Sequence, residues 1–270
     1  MTDTPVQAPA AFVGSIPALY DRHLGPVFFE PYALDLAARL PAGAQRVLEI
    51  AAGTGRVTRH LAAKVDELVV TDLNEAMLAI ARASLPDPKL EWRVADMQAL
   101  PFVDDSFDVV VGQFGLMFAP DKAAAIRELR RVVRPGGVVL LSTWNELAKN
   151  GAAQLAHEQA LAAFPEDPPQ FYLTPFSLHD ARAVCALFEA DGFEVRSDTI
   201  DVMGSAESAA DLAIGLVRGN PIALQLTERG VDVAKYEADV AAALAARFGD
   251  HPCRTPLSAH VFVATRPVGP

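Results

Sequence analysis

Short apolar runs alternate with helical periodicity through the middle of the chain. The runs Val47–Ile50, Leu68–Thr71, Leu90–Ala95, Phe107–Gly112 and Val138–Thr143 have the length and continuity of strands buried on both faces. Between them, apolar residues recur every three or four positions over Val57–Ala63, Glu75–Leu85 and Lys122–Val133, and Arg134 then meets the helix brake Pro135-Gly136-Gly137. Strands separated by crossover helices predict right-handed βαβ units and a parallel sheet covered on both sides. Upstream, two short helices are expected before Pro41 and Gly43. Downstream of Asn145 the rhythm breaks into a helical run Ala148–Phe164, a loop through Pro165–Pro169, and a helix Leu178–Ala190 capped by Ser177 and ended by Gly192. A strand Phe193–Val202 follows, then an Ala-rich helical stretch over 205–249 interrupted near Gly219-Asn220-Pro221, and a closing strand Ser258–Arg266.

Composition narrows the class. With 270 residues, 51% hydrophobic and 21% charged, the chain has the balance of a soluble globular enzyme. A formal net charge of −11 opposes a nucleic-acid partner. No apolar stretch approaches a membrane span, and the first residues carry neither a basic nor an apolar secretory region. Cys185 and Cys253 are too few for a disulfide framework and lack zinc-ligand spacing. A cytoplasmic location without membrane or metal is the expectation, and residues 1 to about 14, rich in Pro and Ala, are expected to be mobile.

The candidate chemistry gathers at the strand ends. Val47–Ile50 breaks into Ala51, Ala52, Gly53, Thr54 and Gly55 and resumes as a helix, which offers bare backbone N–H groups to a ligand. The second strand ends at Asp72, an acceptor suited to both hydroxyls of a ribose. The third ends at Asp96 followed by Met97, a carboxylate and an apolar cover that suit an adenine. The fourth ends at Gln113 and Phe114.

These linked segments resemble the class I S-adenosylmethionine-dependent methyltransferases, in the group of the ubiquinone/menaquinone-type and small-molecule enzymes. Val-Leu-Glu-Ile-Ala-Ala-Gly-Thr-Gly, Val-Val-Thr-Asp-Leu-Asn, Arg-Val-Ala-Asp-Met, Leu-Pro-Phe-Val-Asp-Asp-Ser-Phe-Asp and Arg-Arg-Val-Val-Arg-Pro-Gly-Gly stand in that family's order across about residues 45–145. The resemblance implies an α/β fold, a Rossmann-like seven-stranded sheet with helices on both faces and a helical lid. It implies S-adenosyl-L-methionine as cofactor: Glu49 organising the turn and reaching toward the amino group, Gly53 and Gly55 under the methionine portion, Asp72 on the ribose and Leu73 against adenine. Asp96 and Met97 would complete the adenine site, Gln113 and Phe114 would flank the methyl-donating end, and Tyr20 would close over it. Ala51 stands where the family often has glycine, which requires Ala51 to keep a negative φ.

A division follows: 1–45 an N-terminal helical lid, 46–145 the cofactor core, 146–270 the rest of the sheet with inserted helices over the acceptor. The Leu, Phe and Ala content of those helices predicts an apolar cavity and a small organic acceptor presenting an oxygen, nitrogen or carbon nucleophile, in a monomer or homodimer. His23 and His157 fall in the covering segments and are the candidates for acceptor contact; no residue identifies itself as a general base. His60 reads as a surface residue, Asp104-Asp105 as a solvated turn, and Trp144 as either pocket wall or packing. Two other readings stay open: a protein of the same fold and cofactor that transfers no methyl group, and a nicotinamide oxidoreductase. The second lacks the third glycine of its fingerprint, because Arg56, Val57 and Thr58 follow Gly55.

Overall fold

The computed structural model describes residues 12–269, so the first eleven residues of the Pro/Ala-rich start lie outside the described residues. Strands β1 (Arg46–Ile50), β2 (Glu67–Asp72), β3 (Leu90–Val94), β4 (Phe107–Gln113), β5 (Val133–Trp144), β6 (Glu194–Ala206) and β7 (Cys253–Thr265) form one sheet in the order β3-β2-β1-β4-β5-β7-β6. The first five pair in parallel, and β7 runs antiparallel to both β5 and β6. Strand order reverses between β1 and β4, and at such a switch point the carboxyl ends of open α/β sheets diverge to leave a crevice.

The helices are α1 (Ile16–Leu19), α2 (Glu30–Ala38), α3 (Thr58–Leu61), α4 (Glu75–Ser84), α5 (Lys122–Val132), α6 (Gly151–Ala163), α7 (Ala181–Ala190), α8 (Ala209–Val217), α9 (Ile222–Glu228) and α10 (Val233–Phe248). Alternation along each strand sorts the core. Leu48, Ile50, Val110 and Leu141 pack under α5 and α7, whereas Val47, Val70, Val109 and Leu140 pack under α2, α3 and α4. A third core joins α6, α8, α9 and α10 to the N-terminal helices around Trp144.

The structure differs from the expected elements at instructive places. The N-terminal pair of helices is one continuous run, with a π-helical stretch Tyr20–Phe29 between α1 and α2 and Pro26 inside it. Helix α5 does stop before the Pro-Gly-Gly brake, but the brake lies inside β5, because Val133 is already extended at φ −77° and ψ 133°. The register of β4 and β5 shifts between Phe107 and Val109, where a Cβ on Gly137 would sit 2.7 Å from the Asp108 carbonyl. The cap of α7 is Asp180 rather than Ser177: its carboxylate accepts from the Arg182 amide at 2.9 Å, while Thr143 Oγ1 donates to the Leu178 carbonyl and pins the chain to the sheet before the helix starts. Strands β6 and β7 extend to Ala206 and Cys253, beyond the end of β5, because they pair with each other all the way. Asp104 and Asp105 are not merely solvated; they pair with Arg131 and Arg266.

Candidate active site

The crevice at the switch point holds a cavity of about 450 Å³. Its floor is the end of β1 and the turn after it, one wall is Asp72–Met77, the opposite wall is Ala95–Gln98, and Gln113–Gly115 closes the inner end. Of the residues singled out in the sequence, Ala51, Gly53, Asp72, Leu73, Asp96, Met97, Gln113, Phe114 and Tyr20 all line it. A recess of about 30 Å³ adjoins it, reached past Tyr20, Ala51, Gly53 and Gln113, and at its back stand Glu49, Thr54 and Arg56.

Asp72 is held from both sides. Its Oδ2 accepts from the Gly53 amide and its Oδ1 from the Asn74 amide, each at 2.8 Å, so the carboxylate ties the glycine turn to the N-terminus of α4. Burial raises its affinity for a proton, and the Asn74, Gly53 and Leu73 amides pull it back in part. Asn74 caps α4 through its own side chain, accepting from the Ala76 amide at 2.9 Å. Asp96 is oriented by the Gln98 amide at 2.9 Å and by the Gln98 side chain. A carboxylate keeps acceptor capacity after such contacts, so both acids can still bind hydroxyl or amino donors.

Glu49 is a strongly perturbed carboxyl at the recess. It is 1% exposed, and burial pushes its pKa up to about 8; the Thr58 hydroxyl and amide, as donors, offset this in part, the Asp72 charge adds to it, and the Arg59 charge lowers it. Its Oε2 is buried without a hydrogen-bond partner, and so are Thr54 Oγ1 and Arg56 Nε. All three residues line the recess. Unpaired buried polar atoms are costly, and three at one recess mark a place built for a polar ligand group.

Ala51 departs from expectation: its φ is +49°, in the left-handed region rather than negative. Its methyl group fills space that only Gly115 leaves open, since a Cβ on Gly115 would collide with it. Phe114 is left-handed too, at +52°. The neighbouring ends of β1 and β4 thus both turn sharply, which opens the crevice and stores strain of about 1 kcal/mol or more per residue. Ala51→Gly is expected to raise stability to urea by about 1 kcal/mol; an unchanged or lower midpoint would show that methyl packing outweighs the dihedral.

Gly55 sits elsewhere than expected. It lines neither cavity; a Cβ there would lie 3.1 Å from Ala81 Cβ and 3.2 Å from Leu85 Cδ1, so it serves close packing of the turn on α4. Gly53 does face the cavity at φ +57°, its nearest neighbour in that direction being Met77 Cε at 3.6 Å. His23 and His157 also line neither cavity. His23 is buried with Nδ1 2.8 Å from Asp211 Oδ1, and His157 is half-buried beside Tyr172, where burial lowers its pKa. Trp144 is packing: its ring stacks on Phe114 at 3.8 Å within 2° of parallel, with Phe28, Phe29, Tyr32 and Phe176 around it. These rings fill the centre of the region where the sequence predicts an apolar acceptor cavity. Gln98, Asn74 and Phe118 line the cavity without having been anticipated. Only Asn74 carried a signal, as an Asn immediately before a helix.

The arrangement suits a nucleotide-type ligand: a cavity with an acidic lining and a small polar recess beside it. Residues 48–141 match the family model described as a methyltransferase domain. Over 121 residues the chain is 36% identical to the ubiquinone/menaquinone biosynthesis C-methyltransferase UbiE of a Shewanella species, covering 42% of this chain and 47% of UbiE. It aligns with less than half the length of the curated relatives it matches. Solved structures share the fold. The [4+2]-cyclase SpnF gives a TM-score of 0.61 at 19% identity, covering 94% of each chain. A Haemonchus contortus phosphoethanolamine N-methyltransferase 2, in complex with S-adenosyl-L-methionine, gives 0.59 at 17%, covering 93% of this chain and 56% of that one. Residues 48–141 are thus similar to a methyltransferase domain, and the sheet that contains them has the fold of those solved structures. No helix among the described residues is long and apolar enough to cross a membrane.

Proposed function

We propose that the protein transfers a methyl group from S-adenosylmethionine to a small organic acceptor with an oxygen, nitrogen or carbon nucleophile. The observation that carries this is the recess: unpartnered Glu49 Oε2 and Arg56 Nε behind a cavity walled by Asp72 and Asp96. An ammonium and a carboxylate on one ligand satisfy both orphans, and the cofactor has that pair at its methionine end. A dinucleotide would instead bring a pyrophosphate toward the Glu49 carboxylate, which disfavours the oxidoreductase reading.

Asp72 is proposed to hold the ribose hydroxyls, Asp96 and Met97 the adenine with Leu73 on its rim, and Glu49 the amino group. Gln113, whose Nε2 donates to the Phe29 carbonyl at 2.8 Å, would flank the methyl-donating end with Phe114 and Tyr20. Bound there, the cofactor supplies an electrophilic methyl group on cationic sulfur. The protein's share is alignment and exclusion of water, for which the rings of Tyr20 and Phe29, stacked 4.7 Å apart, are suited. Tyr20 is not a general base: burial, with Asp72 adding, drives its phenol far above the ordinary value and keeps it neutral. Residues 46–145 would bind cofactor, and 1–45 with the helices of 146–270 would shape the acceptor site, in a cytoplasmic monomer or homodimer.

The test is incubation with methyl-labelled S-adenosylmethionine and fractionated metabolites. Labelled product with equimolar S-adenosylhomocysteine is expected. Conversion of an acceptor without S-adenosylhomocysteine release would favour the second reading, a non-methylating reaction of the same fold, toward which the likeness to a cyclase points.

A further inference from the structure

Arg56 follows the glycine turn directly, yet its side chain reaches into the N-terminal helical run. Nη2 donates to Asp21 Oδ1 at 2.8 Å and to the Asp21 carbonyl at 2.5 Å, and Nη1 lies 3.3 Å from Glu30 Oε2. Glu30 is also 2.7 Å from His60 Nε2, so His60 is not the free surface group its sequence position suggests. The guanidinium fits because Gly25 has no side chain; a Cβ there would collide with it. Its remaining donor, Nε, is buried beside Gly25 without a partner, and Arg56 is one of the residues lining the recess.

The segment so gripped is the π-helical stretch Tyr20–Phe29. Such stretches are marginal backbone and recur at functional sites. Tyr20 and Phe29 line the recess, which at about 30 Å³ has room for little more than a water or two. An amino-acid terminus therefore enters only when this segment lifts, and two side chains that line the recess also hold the segment: Arg56 through its guanidinium, and Gln113 by donating to the Phe29 carbonyl.

We infer that Arg56 is a latch: the α-carboxylate of the bound cofactor or product engages Nε and stiffens the guanidinium in its pairing with Asp21 and Glu30, locking Tyr20–Phe29 shut over the methionine end. Closure then depends on the ligand's amino-acid portion rather than on its nucleoside. This deepens the reading of the site given above and rests on it.

Arg22, exposed within the segment, makes closure measurable as trypsin cleavage of the full chain after that residue, with hydrogen exchange over 20–29 as a second measure. S-adenosylhomocysteine is expected to slow cleavage about tenfold, and 5′-methylthioadenosine, which lacks the amino-acid portion, less than about twofold. In Arg56→Gln the protection by S-adenosylhomocysteine is lost, and Arg56→Lys restores part of it. Gly25→Ala, which displaces the guanidinium without entering the recess, loses it too. Equal protection by both ligands, or full protection in Arg56→Gln, overturns the latch. Calorimetry separates the levels: if neither ligand binds wild-type protein, the cofactor reading itself fails and the latch with it.

Discussion

Asp72→Ala is expected to abolish saturable binding of S-adenosylmethionine, with a loss of affinity of at least about a hundredfold, because hydrogen bonds to a charged acceptor contribute about 1.5–3 kcal/mol each. Two effects add. The ribose hydroxyls lose their proposed acceptor, and the Gly53 and Asn74 amides lose the carboxylate that holds the turn against α4. Folding stability should change much less, since the same substitution removes a buried charge whose desolvation is already unfavourable. Calorimetric titration together with urea unfolding measures both. A dissociation constant within threefold of wild type would remove Asp72 from the site.

The strand-end acids were legible because their position depends on little beyond the length of each apolar run. Glu49, Asp72 and Asp96 stand at or just beyond the carboxyl ends of parallel strands, and the register of β1, β2 and β3 brings those ends side by side. The sheet was legible for the same reason: period and run length are local properties. What escaped was decided by tertiary partners. The sign of φ at Ala51 follows from the space beside Gly115, which lies 64 positions away in sequence, so Ala51 and Gly115 act as a pair. Gly55 looked like a cofactor contact because glycine turns usually offer several, but α4 lies against it on the far side. The packing of the covering helices is not readable from the sequence. Ala-rich helices bury many faces equally well, and nothing local says that Phe28, Phe29 and Phe114 will close around Trp144 instead of lining an open chamber. Arg56 carries a signal of its own: Arg56 in the turn and His60 on the short helix after it are two basic side chains four residues apart beside a ligand turn.

Glu49→Gln is expected to move stability and binding in opposite directions, which a merely structural side chain would not do. In the ligand-free protein Glu49 has a pKa of about 8 against an ordinary 4.5, so the folded state holds its proton more tightly than the unfolded one. Between those values the unfolded chain releases the proton first, and the native state loses ground as pH rises; above about 8 the loss is complete and constant. At 1.36 kcal/mol per pKa unit this reaches at most about 4 kcal/mol at pH 7.5 and shrinks below about 1 kcal/mol at pH 5. Glutamine keeps the shape without the charge, so the variant should be the more stable protein at pH 7.5 and nearly equal to wild type at pH 5. Its affinity for S-adenosylmethionine should fall roughly ten- to a hundredfold, because the ammonium of the ligand loses a buried ion partner. Wild type should in turn release up to about three-quarters of a proton on binding near pH 7.5, visible as a dependence of calorimetric heat on buffer ionisation enthalpy, and Glu49→Gln should not. A variant destabilised at both pH values, or one that binds as tightly as wild type, would mean that Glu49 is held for packing of the turn and that the recess recognises its ligand through Arg56 alone.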